Sequence, residues 1–291
     1  MGRFSEAMIE EYEGQVTGAS SRTTYIRYSQ ERDLPMLLAI RNATFMSHGQ
    51  LFEQLVATGS EVSRRACNWR IQRLVQAGVV SKMPPQLPYC GPVYTISRSG
   101  LACLESCGHG LISLTSESKS LANPAQIQHY LELGEIQAAF RRTKMLKEWT
   151  GDLEIRSINQ SIDLPLAKDY DAIAELEYDN FRYRIALEYE RSLKASTRYQ
   201  EIVAAIEDED QVQLLVYMTS SIDLLYQLKA EFEEQRFPIV LVPARSFCMS
   251  PLAARMYSTR SLGGQKATIE DVLGAIPRRK RVPPGEQFDH E

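Results

Sequence analysis

The sequence predicts an α+β protein with two units, a small helical unit closed by a β-hairpin and then a larger α/β domain. Apolar residues recur at helical spacing over residues 33–77, and two short β-rich runs follow on either side of a Pro-rich loop. From His129 onward, helical patterns alternate with β-rich runs. A chain of 291 residues also exceeds the usual size of one domain.

Shifts in composition divide the chain into five segments. The polar N-terminus is expected to be flexible, a Ser- and Gly-rich stretch to be a linker, and the basic run at 278–281 to lie in a disordered tail. The predicted segments are a flexible N-terminus (1–24), a first domain (25–107), a linker (108–126), a second domain (127–245) and a C-terminal extension with a basic tail (246–291).

Composition places the chain in the cytoplasm, with no membrane partner. No apolar run is long enough to span a bilayer, and residues 1–16 are acidic rather than signal-like. The five cysteines are odd in number and scattered, which argues against a disulfide framework. Cys103, Cys107 and His109 have a spacing that suggests part of a zinc site, but no fourth ligand is evident.

The first domain begins with two helices. Leu34, Leu37 and Ile40 seed the first helix, and Ser47 is placed to cap a second helix with an apolar face around Leu51. A turn at Gly59-Ser60 then leads into a third helix.

The third helix, Glu61 to Ala77, separates an apolar face from a polar face. Its apolar positions are Cys67, Ile71, Leu74 and Val75, and Gly78 suits a C-terminal cap. The opposite face is polar and basic, and residues 61–82 carry a local surplus of four positive charges although the whole chain has a net charge of −4. A basic stripe on an acidic protein is typical of a nucleic-acid-binding surface.

The order helix, helix, helix and β-hairpin resembles the winged helix-turn-helix family. The stretch Tyr94-x-Ile96-Ser97-x-x-Gly100-x-x-x-Leu104 matches how many members leave the second strand of the wing. The resemblance implies that the third helix enters the major groove of double-stranded DNA. In the alternative interpretation, the arginines form a solvated helix face and the hairpin mediates protein contacts.

Six side chains are the candidate DNA contacts. Arginine and asparagine can make bidentate contacts with guanine and adenine, and the N-terminal end of the helix presents side chains to base edges. Residues further along are better placed for phosphates. The candidates are Arg64, Arg65 and Asn68 for bases, Trp69 on the same exposed face, and Arg73 and Lys82 for phosphates.

The second domain is predicted to follow the order α-β-β-β-α-β with an additional αβ unit. Two of its strands are separated by Asp179-Asn180, a pair of turn-prone residues that indicates a β-hairpin. The predicted elements are a helix over His129–Trp149, strands over Leu153–Ile158, Asp171–Tyr178 and Phe181–Arg191, a helix over Lys194–Ile206, a strand over Gln211–Met218, a helix over Ile222–Glu234 and a strand over Pro238–Val242.

A symmetric turn at Asp179-Asn180 fixes the register of this hairpin. One face is then uniformly apolar, while the other face places Glu177 opposite Arg182. The same register places Asp171 opposite Glu188, with Glu190 one step further along. Opposed carboxylates repel one another, and a strand pair tolerates them only if they are exposed, protonated or bridged by a cation.

Magnesium is the bridge that we expect for these carboxylates. Mg²⁺ binds carboxylate oxygens, and it can orient a water and stabilise charge during phosphodiester hydrolysis. Asp171, Glu188 and Glu190 are therefore the candidate metal ligands and catalytic residues, and Lys194 is a candidate for stabilising the developing phosphorane charge. The alternative is a polar solvent-facing surface whose acidic end splays apart.

The element order and these acidic positions resemble the PD-(D/E)XK restriction-endonuclease superfamily. The resemblance implies that Asp171 and Glu188 are the two acidic positions, with Glu190 where most members carry lysine, Lys194 as a migrated lysine and Glu135 as a helix carboxylate. Together with the winged helix, Tyr170-Asp171-Ala172 and residues 186–192 resemble the replication-relaxation family of bacterial mobile elements. Two functions stay open: a Mg²⁺-dependent nuclease, and a non-catalytic regulator with a nuclease-like domain. A homodimer is a possible assembly.

Overall fold

The computed structural model describes residues 28–83, 91–111, 124–161, 165–232, 235–259, 266–278 and 280–281. The predictions of a flexible N-terminus at 1–24 and of most of the linker lie outside the described residues. The α+β prediction is confirmed, because helices and a mixed β-sheet share the chain.

The first domain contains three helices, a β-hairpin and a fourth helix. Its elements are α1 (Asp33–Ala43), β1 (Met46–Ser47), α2 (His48–Ala57), α3 (Arg64–Gln76), β2 (Val80–Met83), β3 (Val93–Ile96) and α4 (Arg98–Ser106). The strands pair antiparallel in the order β1-β3-β2. Cys67, Ile71 and Leu74 of α3 are buried in one cluster with Leu37 and Leu51, as the apolar pattern predicted.

Local hydrogen bonds explain why these helices begin and end where they do. Ser47 and Gln50 form a reciprocal capping box at α2. Gly78 has φ +73°, the left-handed conformation that ends α3. The Ser97 side chain accepts from Gly100 N at 3.1 Å and donates to Gly78 O at 2.6 Å. A Cβ at Gly100 would lie 2.2 Å from Val79 O, so this position in the motif requires glycine.

The second domain is built on an eight-stranded sheet. Its helices are α5 (Pro124–Arg142), α6 (Asp152–Ser161), α7 (Ser196–Ile206), α8 (Ile222–Phe232), α9 (Ala244–Met249) and α10 (Ile269–Ala275). Its strands are β4 (Leu146–Gly151), β5 (Ala172–Tyr178), β6 (Phe181–Glu190), β7 (Leu214–Thr219), β8 (Ile239–Pro243), β9 (Met256–Ser258), β10 (Lys266–Ala267) and β11 (Lys280–Arg281).

This sheet is mixed and is covered on both faces. Its strand order is β10-β9-β8-β7-β6-β5-β4, with β6, β7 and β8 parallel and the other neighbours antiparallel. Helices α5, α9 and α10 pack on one face through residues such as Phe140 and Phe247. Helices α6, α7 and α8 pack on the other face through residues such as Ile155 and Phe232.

The predicted hairpin register is confirmed. Glu177 pairs with Arg182 and Ala172 with Leu187, and both Asp179 and Asn180 have positive φ, as the mirror-image turns of two-residue hairpins require. The apolar face lies in the core with α5, as expected.

Two predicted elements were wrong. Helix α5 ends at Arg142, because Lys144 at φ +63° turns the chain and residues 146–151 join the sheet as strand β4 beside β5. The segment Leu153–Ile158, predicted as a strand, lies in helix α6, which buries Ile155 and exposes its polar side.

The C-terminal extension adds strands that the sequence analysis did not anticipate. Strand β9 pairs with β8 at one side of the sheet, and β10 follows it. Lys280 and Arg281, expected in a disordered tail, pair as β11 with Arg182 and Phe181. Within the described residues, none of the helices combines the length and the apolar composition that crossing a membrane requires.

The two domains contact one another directly. Arg41 of α1 bonds to Glu154 of α6 at 3.3 Å, and Gln50 of α2 donates to Leu131 O of α5 at 2.6 Å. A Cβ at Gly151 would lie 2.5 Å from the carbonyl oxygen of Asn42, so the end of β4 approaches the end of α1 closely. The first domain therefore packs beside the sheet end at which Asp171 lies.

Candidate functional site

The exposed face of α3 carries four of the six predicted DNA contacts. Arg64, Arg65, Asn68 and Trp69 are all exposed, Trp69 to 59%. The Arg64 guanidinium lies over the Phe52 ring at 4.4 Å, so the charged end of this exposed side chain contacts α2.

The other basic residues of α3 are bound by buried carboxylates. Asp33 of α1 is fully buried and contacts both Arg70 and Arg73, while Arg70 Nε also bonds to Glu61 at 3.2 Å. These ion pairs hold α3 against α1. The positive charge that α3 and β2 present outward therefore comes mainly from Arg64, Arg65 and the exposed Lys82, and the predicted phosphate contact of Arg73 stays a prediction.

A groove of about 540 Å³ runs between α3 and the small sheet. Asn68 and Lys82, both predicted DNA contacts, line it together with His48 and Tyr94. His48 was not singled out in the sequence, because nothing in its local pattern shows that the start of α2 lies beside α3.

Asp171, Glu188 and Glu190, here called the acidic cluster, lie where β5 begins and β6 ends. Asp171 directly precedes β5, and its Oδ2 accepts a hydrogen bond from Tyr189 N at 2.7 Å. Glu188 and Glu190 are only 6% and 5% exposed. The solvent-facing alternative is therefore wrong for these two residues, which lie on a covered face of the sheet.

Each glutamate is paired with a lysine. Lys194 Nζ lies 2.8 Å from Glu190 Oε2, so this predicted residue belongs to the cluster. Lys168, which was not predicted from the sequence, contacts Glu188 Oε1. The two residues are separated by 20 positions. No motif spacing connects them, and only the folded chain brings them together.

Burial and neighbouring charges perturb the titration of these carboxyls. Burial, together with the charge of Asp171, raises the pKa of Glu188 to about 7, although Lys168 partly offsets the increase. Burial also acts to raise the pKa of Asp171, but the hydrogen bonds from His129 and Tyr189 N outweigh it and the pKa lies below its usual value. A proton therefore binds to Glu188 in preference to Asp171.

Three further polar residues lie near Asp171 and were not predicted: His129, Tyr130 and Asp152. His129 Nε2 lies 3.4 Å from Asp171 Oδ1, and its ring stacks on Tyr189. Asp152 is buried and accepts from Tyr130 Oη at 2.6 Å, and Asp152 and Asp171 line one small cavity at the domain junction. Asp152 was missed because nothing in its local sequence shows that it lies beside Tyr130 of α5.

Tyr217 places a buried hydroxyl beside the glutamates. It pairs with Glu188 across β6 and β7 and is completely buried. Its hydroxyl has no hydrogen-bond partner among the described residues. Burial is the main reason that its pKa is raised, and the charges of Glu188 and Glu190 add to this. A polar group without a partner at this depth is costly unless a water or an ion completes its bonding.

The donor set fits a divalent cation in part. Asp171 and Glu188 offer hard oxygen donors, and Mg²⁺ commonly binds one or two carboxylates while it keeps several waters. Within the described ranges, no three His, Cys, Asp or Glu side chains converge as a preformed metal site. Glu135, the candidate helix carboxylate, is exposed and accepts from Gln50 Nε2 at 2.9 Å.

Sequence comparisons with known proteins find no match, and a comparison of structures finds a weak similarity. No protein-family model matches the sequence, and no curated protein matches it. The solved structure of restriction endonuclease FokI aligns with a TM-score of 0.28 and 9% sequence identity, over 76% of this chain and 43% of that chain. This chain thus spans less than half of the FokI chain. A TM-score this low establishes no common fold, and membership of the replication-relaxation family stays a prediction.

Proposed function

We propose that this chain binds double-stranded DNA through a winged helix formed by its first domain and hydrolyses phosphodiester bonds with Mg²⁺ at the acidic cluster of its second domain. The observation that carries the catalytic part is the burial of Glu188 and Glu190, each paired with a lysine, beside Asp171. Burying carboxylates is costly, and residues with strongly perturbed pKa values are common at functional sites.

The DNA-binding part rests on the surface of α3. Its outward residues are basic or polar, whereas its inward arginines are neutralised by Asp33 and Glu61. Among the described residues, Arg64, Arg65 and Lys82 have no carboxylate partner and are available to phosphates. Asn68 lies in the N-terminal half of the helix, where base edges are read. The role in a mobile element or plasmid and the homodimer stay predictions.

In the proposed reaction, Asp171 and Glu188 hold the cation, and Mg²⁺ when bound supplies Lewis-acid stabilisation of the phosphate and a more acidic water. Lys168 and Lys194 place two positive charges beside the carboxylates. Either lysine can stabilise negative charge that develops on the phosphate. His129 holds Asp171 ionised and fixes one of its oxygens.

Duplex binding tests the first part of the proposal. We expect Arg64→Ala/Arg65→Ala to weaken binding to a duplex by about tenfold or more, because two phosphate or base contacts are lost. The slope of log affinity against log salt should fall by roughly 1 to 2. Fluorescence anisotropy at several salt concentrations measures both quantities. The control Arg245→Ala/Arg255→Ala removes two exposed charges from the second domain, and equal losses in both variants would contradict the assignment.

A non-catalytic regulator is the second candidate function. It is favoured by the ion pairs on both glutamates and by the lack of a preformed three-ligand group in the part of the chain that the structure describes. The two candidates differ in cation binding.

Titration calorimetry with Mn²⁺ in place of Mg²⁺ separates the two candidates. We expect one Mn²⁺ site in the wild type and at least a tenfold loss of affinity in Asp171→Asn, because the substitution removes an ionised oxygen donor. Asp169→Asn, which alters an exposed carboxylate nearby, is the control. A wild type without Mn²⁺ affinity, and with duplex binding intact, would favour the regulator.

A further inference from the structure

Two hydrogen bonds link Tyr94, His48 and Asn68 across the groove beside α3. His48 Nε2 lies 2.7 Å from Asn68 Oδ1, and His48 Nδ1 lies 3.2 Å from the Tyr94 hydroxyl. We call these two hydrogen bonds the relay. Its three residues come from α2, α3 and β3, so the relay depends on the fold of the whole first domain. All three line the groove of about 540 Å³.

The position of His48 is itself fixed by the backbone. It is the first residue of α2, directly after the Ser47 cap, and its N–H donates to Pro92 O at 3.1 Å. Its ring meets the Tyr94 ring edge-on at 5.9 Å, and Tyr94 is buried to 4% exposure. An exposed asparagine thus bonds to an imidazole that is held from two sides.

In the structure the Asn68 amide has Oδ1 toward His48, and this orientation sets the direction of each bond between the three residues. The Asn68 carbonyl oxygen can only accept, so His48 Nε2 must carry the proton and donate. In the neutral ring Nδ1 then accepts from the Tyr94 hydroxyl. This arrangement leaves the Nδ2 donor of Asn68 for other contacts.

We propose that His48 positions Asn68 as a hydrogen-bond donor that reads an acceptor edge of a base pair in the major groove, a guanine or thymine rather than an adenine. This rests on the DNA binding proposed above. An asparagine that reads adenine uses Oδ1 to accept from N6 and Nδ2 to donate to N7. Here Oδ1 accepts from His48, so Nδ2 could donate to adenine N7 but the adenine N6 amino group would lose its acceptor. Guanine offers the acceptors N7 and O6, and thymine offers O4.

The proposal predicts a directional change in sequence preference. In a selection from a random duplex library, the position read by Asn68 is the one whose preference disappears in Asn68→Ala. We expect the wild type to prefer guanine or thymine there. His48→Ala should lower that preference by about fivefold and increase the share of adenine, because Oδ1 becomes free to accept from N6. Tyr94→Phe should change the base preference at the same position less than His48→Ala does.

Matched measurements separate positioning from folding. Affinity for a non-specific duplex should change by less than about twofold in His48→Ala, and the melting temperature of each variant shows that it folds. Ala57→Ser, an exposed change at the other end of α2, should leave the preference unaltered.

Several outcomes overturn the proposal, and they are distinguishable from failure of DNA binding. A wild-type preference for adenine or cytosine at the Asn68 position would contradict a side chain that reads the base only as a donor. An unchanged preference in His48→Ala, or a wild type that binds duplex without any base preference, would also overturn it. A wild type that binds no duplex removes the proposed function itself.

Discussion

Substitution of Lys168 by methionine is expected to lower Mg²⁺-dependent DNA cleavage by about a hundredfold or more. Loss of one group that stabilises transition-state charge in a water-poor site has an effect of roughly this size. Lys168 is 17% exposed and contacts the buried carboxylate of Glu188, so its charge lies inside the cluster. Methionine keeps the length and the apolar stem of the side chain while it removes the charge.

Lys194→Met is the matched control for this prediction. Lys194 is 45% exposed and contacts Glu190, at the outer side of the cluster. Because solvent screens an exposed charge, we expect Lys194→Met to lower the rate by less than about tenfold. Single-turnover cleavage with bound DNA measures both rates. A larger loss in Lys194→Met would contradict this ranking and would favour the lysine that the sequence analysis selected.

Asp33→Ala is expected to lower the free energy of unfolding of the first domain by about 3 kcal/mol, because removal of one partner from a buried ion pair leaves charge without compensation. Asp33 is fully buried, contacts Arg70 and Arg73, and accepts from Ser29 N at 2.7 Å. Both arginines keep some solvent exposure, which places the expected loss at the lower end of the range for buried pairs.

Chemical denaturation followed by far-ultraviolet circular dichroism measures this loss. Glu31→Ala, which removes an exposed acidic residue two positions earlier, provides the control for net charge and should change stability by less than about 0.5 kcal/mol. If Asp33→Ala were as stable as the wild type, the ion pairs would not hold α3 against α1.

The sequence predicted the hairpin of the second domain residue by residue. Side chains of a strand alternate between its two faces with a period of two residues, and Asp179-Asn180 permits a two-residue turn. Only one register therefore buries a uniformly apolar face. The region before it was mispredicted for a physical reason. Leu146 and Trp149 stand at helical spacing, but the chain turns at Lys144 and they form an edge strand instead. Short apolar runs leave helix and strand ambiguous.

The candidate sites were predicted only in part, because their remaining members come from distant parts of the chain. Asp171 and Glu188 follow from the hairpin register. Lys168, His129 and Tyr217 approach them from a loop, from α5 and from β7. Likewise, the number of basic residues in α3 did not show that Asp33 neutralises Arg70 and Arg73, because Asp33 belongs to another helix.

Cleavage of supercoiled plasmid by the purified protein tests the central claim most directly. With Mg²⁺ or Mn²⁺, the wild type should convert the plasmid to nicked or linear DNA, a chelator should stop the reaction, and Glu188→Ala/Glu190→Ala should be inactive while it still binds duplex. Cleavage by both proteins alike, or by neither while both bind duplex, would contradict the assignment of a nuclease site to these carboxylates.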